Sequence, residues 1–190
     1  MILPIYTYGQ PVLRQEAEEI DKNYPGLEQL IGDMYETLER SEGIGLAAPQ
    51  VGLPIRLAVI NLDPLSEDLP EYKGYAQTFI NPYIEEYDES DTDMMEEGCL
   101  SLPGIHEKVR RPKRIRVTYQ DEQFREHDEW VGGYLARVMQ HEFDHLDGVV
   151  FTDHLKGLRR QLTKSRLQDI RQGKFSCNYK VKVKHENRKC

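Results

Sequence analysis

Two histidines and a glutamate in the segment His141-Glu142-Phe143-Asp144-His145 are the strongest chemical signal in this chain of 190 residues. Residues four apart lie on one face of an α-helix, so both imidazoles can bind the same metal ion. The glutamate beside the first histidine would then lie next to a water molecule on that metal, as in metal-dependent hydrolases. Two polar histidines on a surface helix, satisfied by neighbouring aspartates, are the alternative interpretation.

The residues around this segment favour a helix with one buried face. Apolar side chains recur at spacings of three and four, the period of an amphipathic helix. Gly148 follows the last of them and is typical of a residue that ends a helix. The apolar positions are Val131, Tyr134, Leu135, Val138, Met139, Phe143 and Leu146.

A catalytic zinc-type site has three protein ligands and one open position, so the two histidines leave one ligand to be found. His154 lies nine residues after His145, whereas the extended histidine motif requires six. Cys99 is the stronger candidate, because Gly98 lets the backbone approach an ion and a thiolate binds transition metals well. A buried thiol that packs as a small apolar group is the alternative.

Three segments together resemble the motifs of one family, the peptide deformylases. They are Gly43–Gln50 (GIGLAAPQ), Glu97–Ser101 (EGCLS) and Gln140–Leu146 (QHEFDHL), and they occur in the family's order. The resemblance implies a metal-dependent hydrolase that removes the N-terminal formyl group from the formylmethionine of newly made polypeptides and releases formate.

The resemblance also implies that Cys99, His141 and His145 bind one divalent metal ion, with water in the fourth position. Thiolate and imidazole ligands suit zinc, iron, cobalt and nickel alike, so the ligands do not identify the metal. Similarity to the family implies Fe²⁺ as the physiological ion, with Zn²⁺, Ni²⁺ or Co²⁺ as alternatives in purified protein. Activity would then be sensitive to oxygen, because ferrous iron and Cys99 can both oxidise.

Four further residues receive roles from the same resemblance. Glu142 would be the general base that takes a proton from the attacking water and passes it to the departing amine. Gln50 and the backbone amide of Leu100 would donate hydrogen bonds to the formyl oxygen as it gains negative charge. Gly45 would help to hold the peptide backbone.

We expect the pocket for the first side chain of the substrate to be lined by residues in or near the motifs. The candidates are Ile44, Met95, Tyr134, Val138 and the aliphatic stem of Arg137, several of which would suit an unbranched methionine. Simple packing in the core is the alternative for each apolar residue. The charge of Arg137 could face solvent or shape specificity, and the sequence leaves both open.

Two other function classes share the predicted helix. A zincin-type endopeptidase would cleave unformylated peptides and would need neither Cys99 nor Gln50. A non-catalytic module with a metal closed by four protein ligands would need Glu142 only for stability.

The elements along the chain predict an α+β fold, with mixed and antiparallel strands packed around the central metal-binding helix and with an N-terminal and a C-terminal helix. The first helix should run from about residue 24, after Asn23 as its cap, to residue 40. We expect strands over 56–62 and 78–86, a loop over 63–75, and a hairpin of 115–119 with 124–130.

Composition favours a single catalytic domain, residues 1–170, followed by a basic tail, residues 171–190, for which disorder is one interpretation. The chain is 38% hydrophobic and contains three cysteines at irregular spacing, so we expect reduced thiols rather than disulfides. The absence of an apolar stretch of about 18 residues and of a basic-apolar leader favours a cytoplasmic protein without a membrane partner.

Charge is distributed unevenly, because residues 155–190 carry twelve lysines and arginines against two acids while the whole chain has a net charge of −8. Such a basic region could bind a polyanion. One hypothesis is weak docking on ribosomal RNA, with no role for DNA. It would use a C-terminal helix that carries Lys156, Arg159, Arg160, Lys164 and Arg166. A solvated helix with a free tail is the alternative.

Overall fold

The computed structural model describes residues 1–183 and confirms the α+β class. A buried helix lies against a five-stranded antiparallel sheet, and two shorter sheets flank this centre. In chain order the elements are β1 (Ile5–Tyr6), α1 (Leu27–Arg40), β2 (Gly45–Ala47), β3 (Leu57–Asn61), β4 (Ala76–Tyr87), β5 (Thr92–Gly98), β6 (His106–Pro112), β7 (Ile115–Gln120), β8 (Glu126–Val131), α2 (Gly133–Leu146), α3 (Gly157–Arg171) and β9 (Val181–Lys182).

The main sheet has the order β2-β3-β4-β7-β8, and its strand β3 is buried on both faces. Successive side chains of a strand point to opposite faces, which divides β3 between two layers of the core. Ala58 and Ile60 pack in the cluster that contains the apolar face of α2. Leu57 and Val59 pack in a second cluster with the apolar face of α1. The two helices therefore cover opposite faces of this part of the sheet.

The two shorter sheets are separate from the main sheet. Strands β5 and β6 form an antiparallel hairpin, in which Gly98 is opposite His106. Strand β9 pairs in parallel with β1, so the C-terminal part of the chain lies beside its N-terminus. A third apolar cluster, which includes Leu102, Val109, Phe151 and Ile170, packs beneath β6 and α3.

Most predicted elements match the observed ones within two residues, but the predicted start of α1 was wrong. The helix begins at Leu27 instead of residue 24, and Asn23 is not its cap. Tyr24 lies in a turn in which its N–H donates to the carbonyl of Asp21, and Gly26 has a left-handed φ of 69°. A backbone in that conformation cannot belong to a right-handed helix, so α1 starts after the glycine.

The other predicted segments agree more closely. The hairpin consists of residues 115–120 and 126–131, and the loop 63–75 contains only two short 3₁₀ turns. Gly148 has a left-handed φ of 71° just after α2, as expected for a glycine that ends a helix. Among the described residues, 1–183, no helix is long and apolar enough to cross a lipid bilayer.

The region assigned from the sequence to a basic tail begins at the end of α3. Residues 172–183 return to the body of the protein, and Val181 and Lys182 form β9. Tyr179 and Val181 pack against the second apolar cluster. The rest of the predicted tail, 184–190, lies outside the described residues.

Arg56 connects the C-terminal end of α2 to the main sheet. Its side chain is 1% exposed and donates hydrogen bonds to the carbonyl of Pro82 and to the carboxylate of Asp147, both at 2.7 Å. The guanidinium also lies 3.9 Å from the centre of the Tyr83 ring. A second N–H reaches the carbonyl of Leu146, so the positive charge sits at the negative end of the helix dipole.

We predict that Arg56→Ala lowers the free energy of unfolding by roughly 3 kcal/mol, because buried carbonyls lose their donors and the sheet loses packing. Arg116→Ala is the matched control. Arg116 also pairs with two carboxylates, those of Glu86 and Asp128, but at the surface, where removal should cost at most about 1 kcal/mol. Urea unfolding of both variants measures the difference, and equal losses would contradict the assignment.

Candidate active site

Helix α2 carries five buried polar side chains, and three of them, those of His141, Glu142 and His145, form the predicted motif. His141, Glu142 and His145 are 9%, 4% and 1% exposed, respectively. The spacing of four residues places both imidazoles on the same side of the helix, with ring centres 5.2 Å apart. Cys99 reaches them from the turn that follows β5, and its Sγ lies 3.4 Å from Nε2 of His145.

The three candidate ligands converge as the sequence predicted. Donor atoms of Cys99, His141 and His145 all lie within 4.8 Å of one another, the only such group of three among residues 1–183. Burial raises the pKa of the Cys99 thiol, but the two histidines outweigh it and lower that pKa to about 5. A thiolate and two imidazoles are a donor set that suits a divalent transition metal, so these residues fit one.

Glu97 orients the first histidine. Its Oε1 lies 2.8 Å from Nδ1 of His141, which leaves Nε2 directed toward the other candidate ligands. Two arginines hold the same carboxylate, Arg111 through two hydrogen bonds of 2.7 and 3.0 Å and Arg137 through one of 2.9 Å. Burial opposes ionisation of Glu97, but His141 and Arg111 lower its pKa well below the usual value.

A second layer of charges supports this network. Arg111 also donates to Asp144 at 2.8 Å, and Asp144 lies 2.7 Å from the imidazole of His154. His154 therefore contacts the back of the site and does not join the ligand group. Arg137 is buried rather than solvated, because its guanidinium also contacts the carbonyl of Val109 and the carboxylate of Asp93.

Glu142 lies beside the ligand group with a free oxygen. Its Oε2 is buried and has no hydrogen-bond partner among the described residues. Burial raises the pKa of Glu142 to about 7, although both histidines act in the opposite direction. The carboxyl packs against Gly45, where a Cβ atom would lie 2.4 Å from Oε1 of Glu142. A side chain at position 45 would therefore displace the carboxyl group.

Gln50 and Leu100 complete the wall on the other side of Cys99. Gln50 is 2% exposed and accepts a hydrogen bond from the N–H of Ala47 at 2.9 Å. Its amide nitrogen donates to Sγ of Cys99 at 3.4 Å and to Oγ of Ser101 at 3.3 Å. The backbone N–H of Leu100 donates to no group within the described part of the chain.

A cavity of about 610 Å³ opens onto these groups. Four of the five residues predicted to form the pocket for the first side chain line it, namely Ile44, Tyr134, Arg137 and Val138, as does Gly45. Met95 does not line the cavity, because β5 borders it only from Glu96 onward and Met95 lies in the middle of the β5–β6 hairpin, opposite Val109.

The sequence alone predicted no role for two parts of the site. Glu97 belongs to a motif segment, but its contact with Arg111 depends on how β5 and β6 pair. Residues 176–179 also line the cavity, from a region that was interpreted as a tail. A signal for an extended segment was present, because Phe175, Cys177, Tyr179, Val181 and Val183 alternate with polar residues.

The arrangement can support hydrolysis of a carbonyl compound. It combines a metal-ligand group, a carboxyl with a raised pKa and two potential donors, the Gln50 side chain and the Leu100 N–H, at one end of a cavity. These are the parts expected of a metal-assisted general-base mechanism.

Comparisons with known proteins point to one family. The family model described as polypeptide deformylase matches residues 2–161. The peptide deformylases of Flavobacterium psychrophilum and Salinibacter ruber are each 45% identical to this chain, over 96% and 98% of it, and the alignments cover 97% of both relatives.

Solved structures are similar over most of the chain. The crystal structure of peptide deformylase from Thermus thermophilus has a TM-score of 0.77 and 40% identity, over 88% of this chain and 96% of that one. Peptide deformylase 1B of Arabidopsis thaliana has a TM-score of 0.79 and 30% identity, over 90% and 91% of the two chains. With its three motifs gathered around one cavity, this chain belongs to the peptide deformylase family.

Proposed function

We propose that this chain performs the reaction of its family in the cavity at Cys99, His141 and His145. The chain is a hydrolase that removes the N-terminal formyl group from formylmethionine of new polypeptides and releases formate. The observation that carries the assignment of the site is the convergence of a thiolate and two imidazoles beside a buried carboxyl oxygen that has no hydrogen-bond partner within residues 1–183.

The three proposed ligands would hold one divalent metal ion. Fe²⁺ is our proposal for the physiological ion, with Zn²⁺, Ni²⁺ and Co²⁺ as ions that the same donors accept. Such an ion supplies Lewis acidity, which polarises a carbonyl oxygen and acidifies a water molecule. A closed structural site would need a fourth protein ligand, and no fourth cysteine, histidine or acid completes the group within residues 1–183.

Glu142 is our proposed general base. A carboxyl with a pKa of about 7 exchanges protons readily near neutral pH, so it can accept a proton from water and deliver it to the leaving amine. Glu97 is not suited to this role, because it is held ionised by Arg111 and points its Oε1 at His141.

Gln50 and Leu100 are proposed to stabilise the negative charge that develops on the formyl oxygen. The oxygen of the Gln50 amide is held by Ala47 and one N–H by Ser101, so the second N–H, which now faces Sγ of Cys99, is the one that would turn to the formyl oxygen. The N–H of Leu100 lies one residue from Cys99. Preorganised donors of this kind typically contribute about 10²- to 10³-fold to the rate.

The methionine side chain of the substrate is proposed to enter the pocket between Ile44, Tyr134 and Val138. These residues line the cavity and are partly or fully buried. The backbone of Gly45 would pair with the peptide. The aliphatic stem of Arg137 would add to the apolar wall, because its guanidinium is already bound by Glu97 and Asp93.

Assays of formate release test the proposed function. We predict that anaerobically prepared protein releases formate from a formyl-Met tripeptide and leaves the unformylated tripeptide intact. Glu142→Ala should retain the metal but lose about 10²- to 10⁴-fold in kcat, because only proton transfer is removed. Cys99→Ala should lose the metal itself. Full activity of Glu142→Ala, or cleavage of the unformylated peptide, would contradict the proposal.

The contact of Gly45 with Glu142 generates a second prediction. Gly45→Ala should lower kcat by about 100-fold, because its methyl group would push the carboxyl of Glu142 out of position. A misplacement of about 1 Å in a catalytic group typically has an effect of this size. Gly32→Ala is the matched control, since nothing lies within 4 Å of a Cβ atom at that position of α1. The control should keep full activity, and similar kcat values for the two variants would refute the steric explanation.

The basic C-terminal region is proposed to make a weak contact with the ribosome in the cytoplasm. Arg159, Arg160, Lys164 and Arg166 are exposed on α3. The first turn of α3 contains no acid, so the positive end of the helix dipole and the basic side chains together form one positively charged surface. Phosphate groups of ribosomal RNA would be attracted to it.

We predict that Arg160→Glu combined with Lys164→Glu reduces co-sedimentation with ribosomes at low salt by at least about fivefold, because attraction becomes repulsion. Formate release from a free tripeptide should be unchanged, since neither residue lines the cavity. Arg125→Glu combined with Lys22→Glu makes the same change in net charge away from α3 and is the control. Unchanged co-sedimentation of the α3 variant would disprove the contact.

A further inference from the structure

Residues 175–183, which we call the C-terminal strap, form one side of the cavity through residues 176–179 and are fixed at both ends. Phe175 packs against the third apolar cluster at one end. At the other end the N–H groups of Ile5 and Thr7 donate to the carbonyls of Lys180 and Lys182 at 2.8 and 3.1 Å. The strap is therefore held in one position beside the site.

The strap presents alternating faces, as an extended segment does. Phe175, Cys177 and Tyr179 are partly buried, whereas Ser176 and Asn178 are exposed. All residues from 176 to 179 line the cavity. The family model ends at residue 161, so this wall lies outside the matched segment.

Tyr179 makes a specific contact with the turn that carries the proposed metal-binding cysteine. Its hydroxyl donates a hydrogen bond of 2.8 Å to the carbonyl oxygen of Leu100, 79 residues earlier in the chain. The ring packs against the second apolar cluster, which also contacts Leu100. The hydroxyl is thus directed at the turn by packing on one side and by the β1–β9 pair on the other.

The carbonyls of Cys99, Leu100 and Ser101 each accept one hydrogen bond, and the three donors differ. The carbonyl of Cys99 accepts from the N–H of Leu102 at 2.9 Å, within the turn itself. The carbonyl of Ser101 accepts from the N–H of Tyr8 at 2.8 Å. For the carbonyl of Leu100, Tyr179 is the donor among residues 1–183. Without that hydroxyl, the middle of the turn would lose its anchor.

We propose that the C-terminal strap is part of the active site and that Tyr179 is a positioning residue, which holds the Leu100 turn so that its N–H faces the substrate carbonyl. This inference rests on the proposed role of the Leu100 N–H. A small shift of such a donor reduces its contribution to the transition state more than to substrate binding.

Kinetics of Tyr179→Phe test the proposal in the full-length, metal-loaded enzyme. We expect kcat for formate release to fall about tenfold while KM stays within about twofold and the metal content is unchanged. Tyr83→Phe is the matched control, because it removes a hydroxyl that donates to Glu19 at 2.8 Å away from this cavity. That control should match the wild-type protein in all three measurements.

Hydrogen–deuterium exchange gives a readout that does not depend on activity. In metal-free protein, the amide of Leu102, which donates to the carbonyl of Cys99, should exchange several times faster in Tyr179→Phe than in wild type, with no such change in Tyr83→Phe. A tyrosine that contributes only to global stability would speed exchange throughout the core and leave kcat at the wild-type value under folded conditions.

The possible outcomes separate the two proposals. If the wild-type protein releases formate and Tyr179→Phe has the same kcat, the strap inference is wrong and the proposed function stands. If Tyr179→Phe loses its metal, the residue acts through Cys99 and the positioning role of Leu100 is also refuted. If wild type releases no formate, the proposed function fails, and equally slow exchange of the Leu102 amide in wild type and in Tyr179→Phe would refute the anchor independently.

Discussion

The buried carboxylate of Glu97 is the contact on which the architecture of the site depends. It joins three elements, because Glu97 lies on β5, Arg111 on β6, and Arg137 and His141 on α2. An isolated carboxylate in such an environment would cost several kcal/mol, so the two guanidinium groups must accompany it. The β5–β6 hairpin can therefore dock against α2 in essentially one position, the one that delivers Cys99 to both histidines.

Two carboxyl groups close to His141 have opposite electrostatic environments. Burial acts on both. Glu97 is compensated by His141 and Arg111 and stays ionised, whereas Oε2 of Glu142 has no hydrogen-bond partner within residues 1–183 and the pKa of Glu142 is raised to about 7. Separation of two acids by environment is how proteins assign different tasks to the same functional group. Here one acid orients a ligand and the other remains available for proton transfer.

Local patterns were sufficient for the parts of the site that lie on one element. The two histidines and Glu142 share α2, and helical spacing alone places them together. Cys99 was a candidate from its thiol and the preceding glycine, but only the family resemblance assigned it to the same ion as the histidines, because nothing local connects it to α2. The roles of Glu97 and Arg111 depend on strand register and on contacts between elements, which periodicity does not encode. The strap was missed because its alternation follows a basic helix, and the net charge of the region favoured a solvated tail over an extended segment.

The location of the site also follows from how the core is divided. Val138 and Ile44 belong to or contact the first apolar cluster, Leu100 contacts the second and Cys99 the third. Oε2 of Glu142 and Nδ1 of His145 are buried at that junction, and neither has a hydrogen-bond partner within residues 1–183. The cavity therefore lies where the three clusters meet. The C-terminal strap borders this cavity, and its position is fixed by the pairing of β1 with β9. Segments near both ends of the chain therefore complete a site whose chemistry lies on α2 and on the turn after β5.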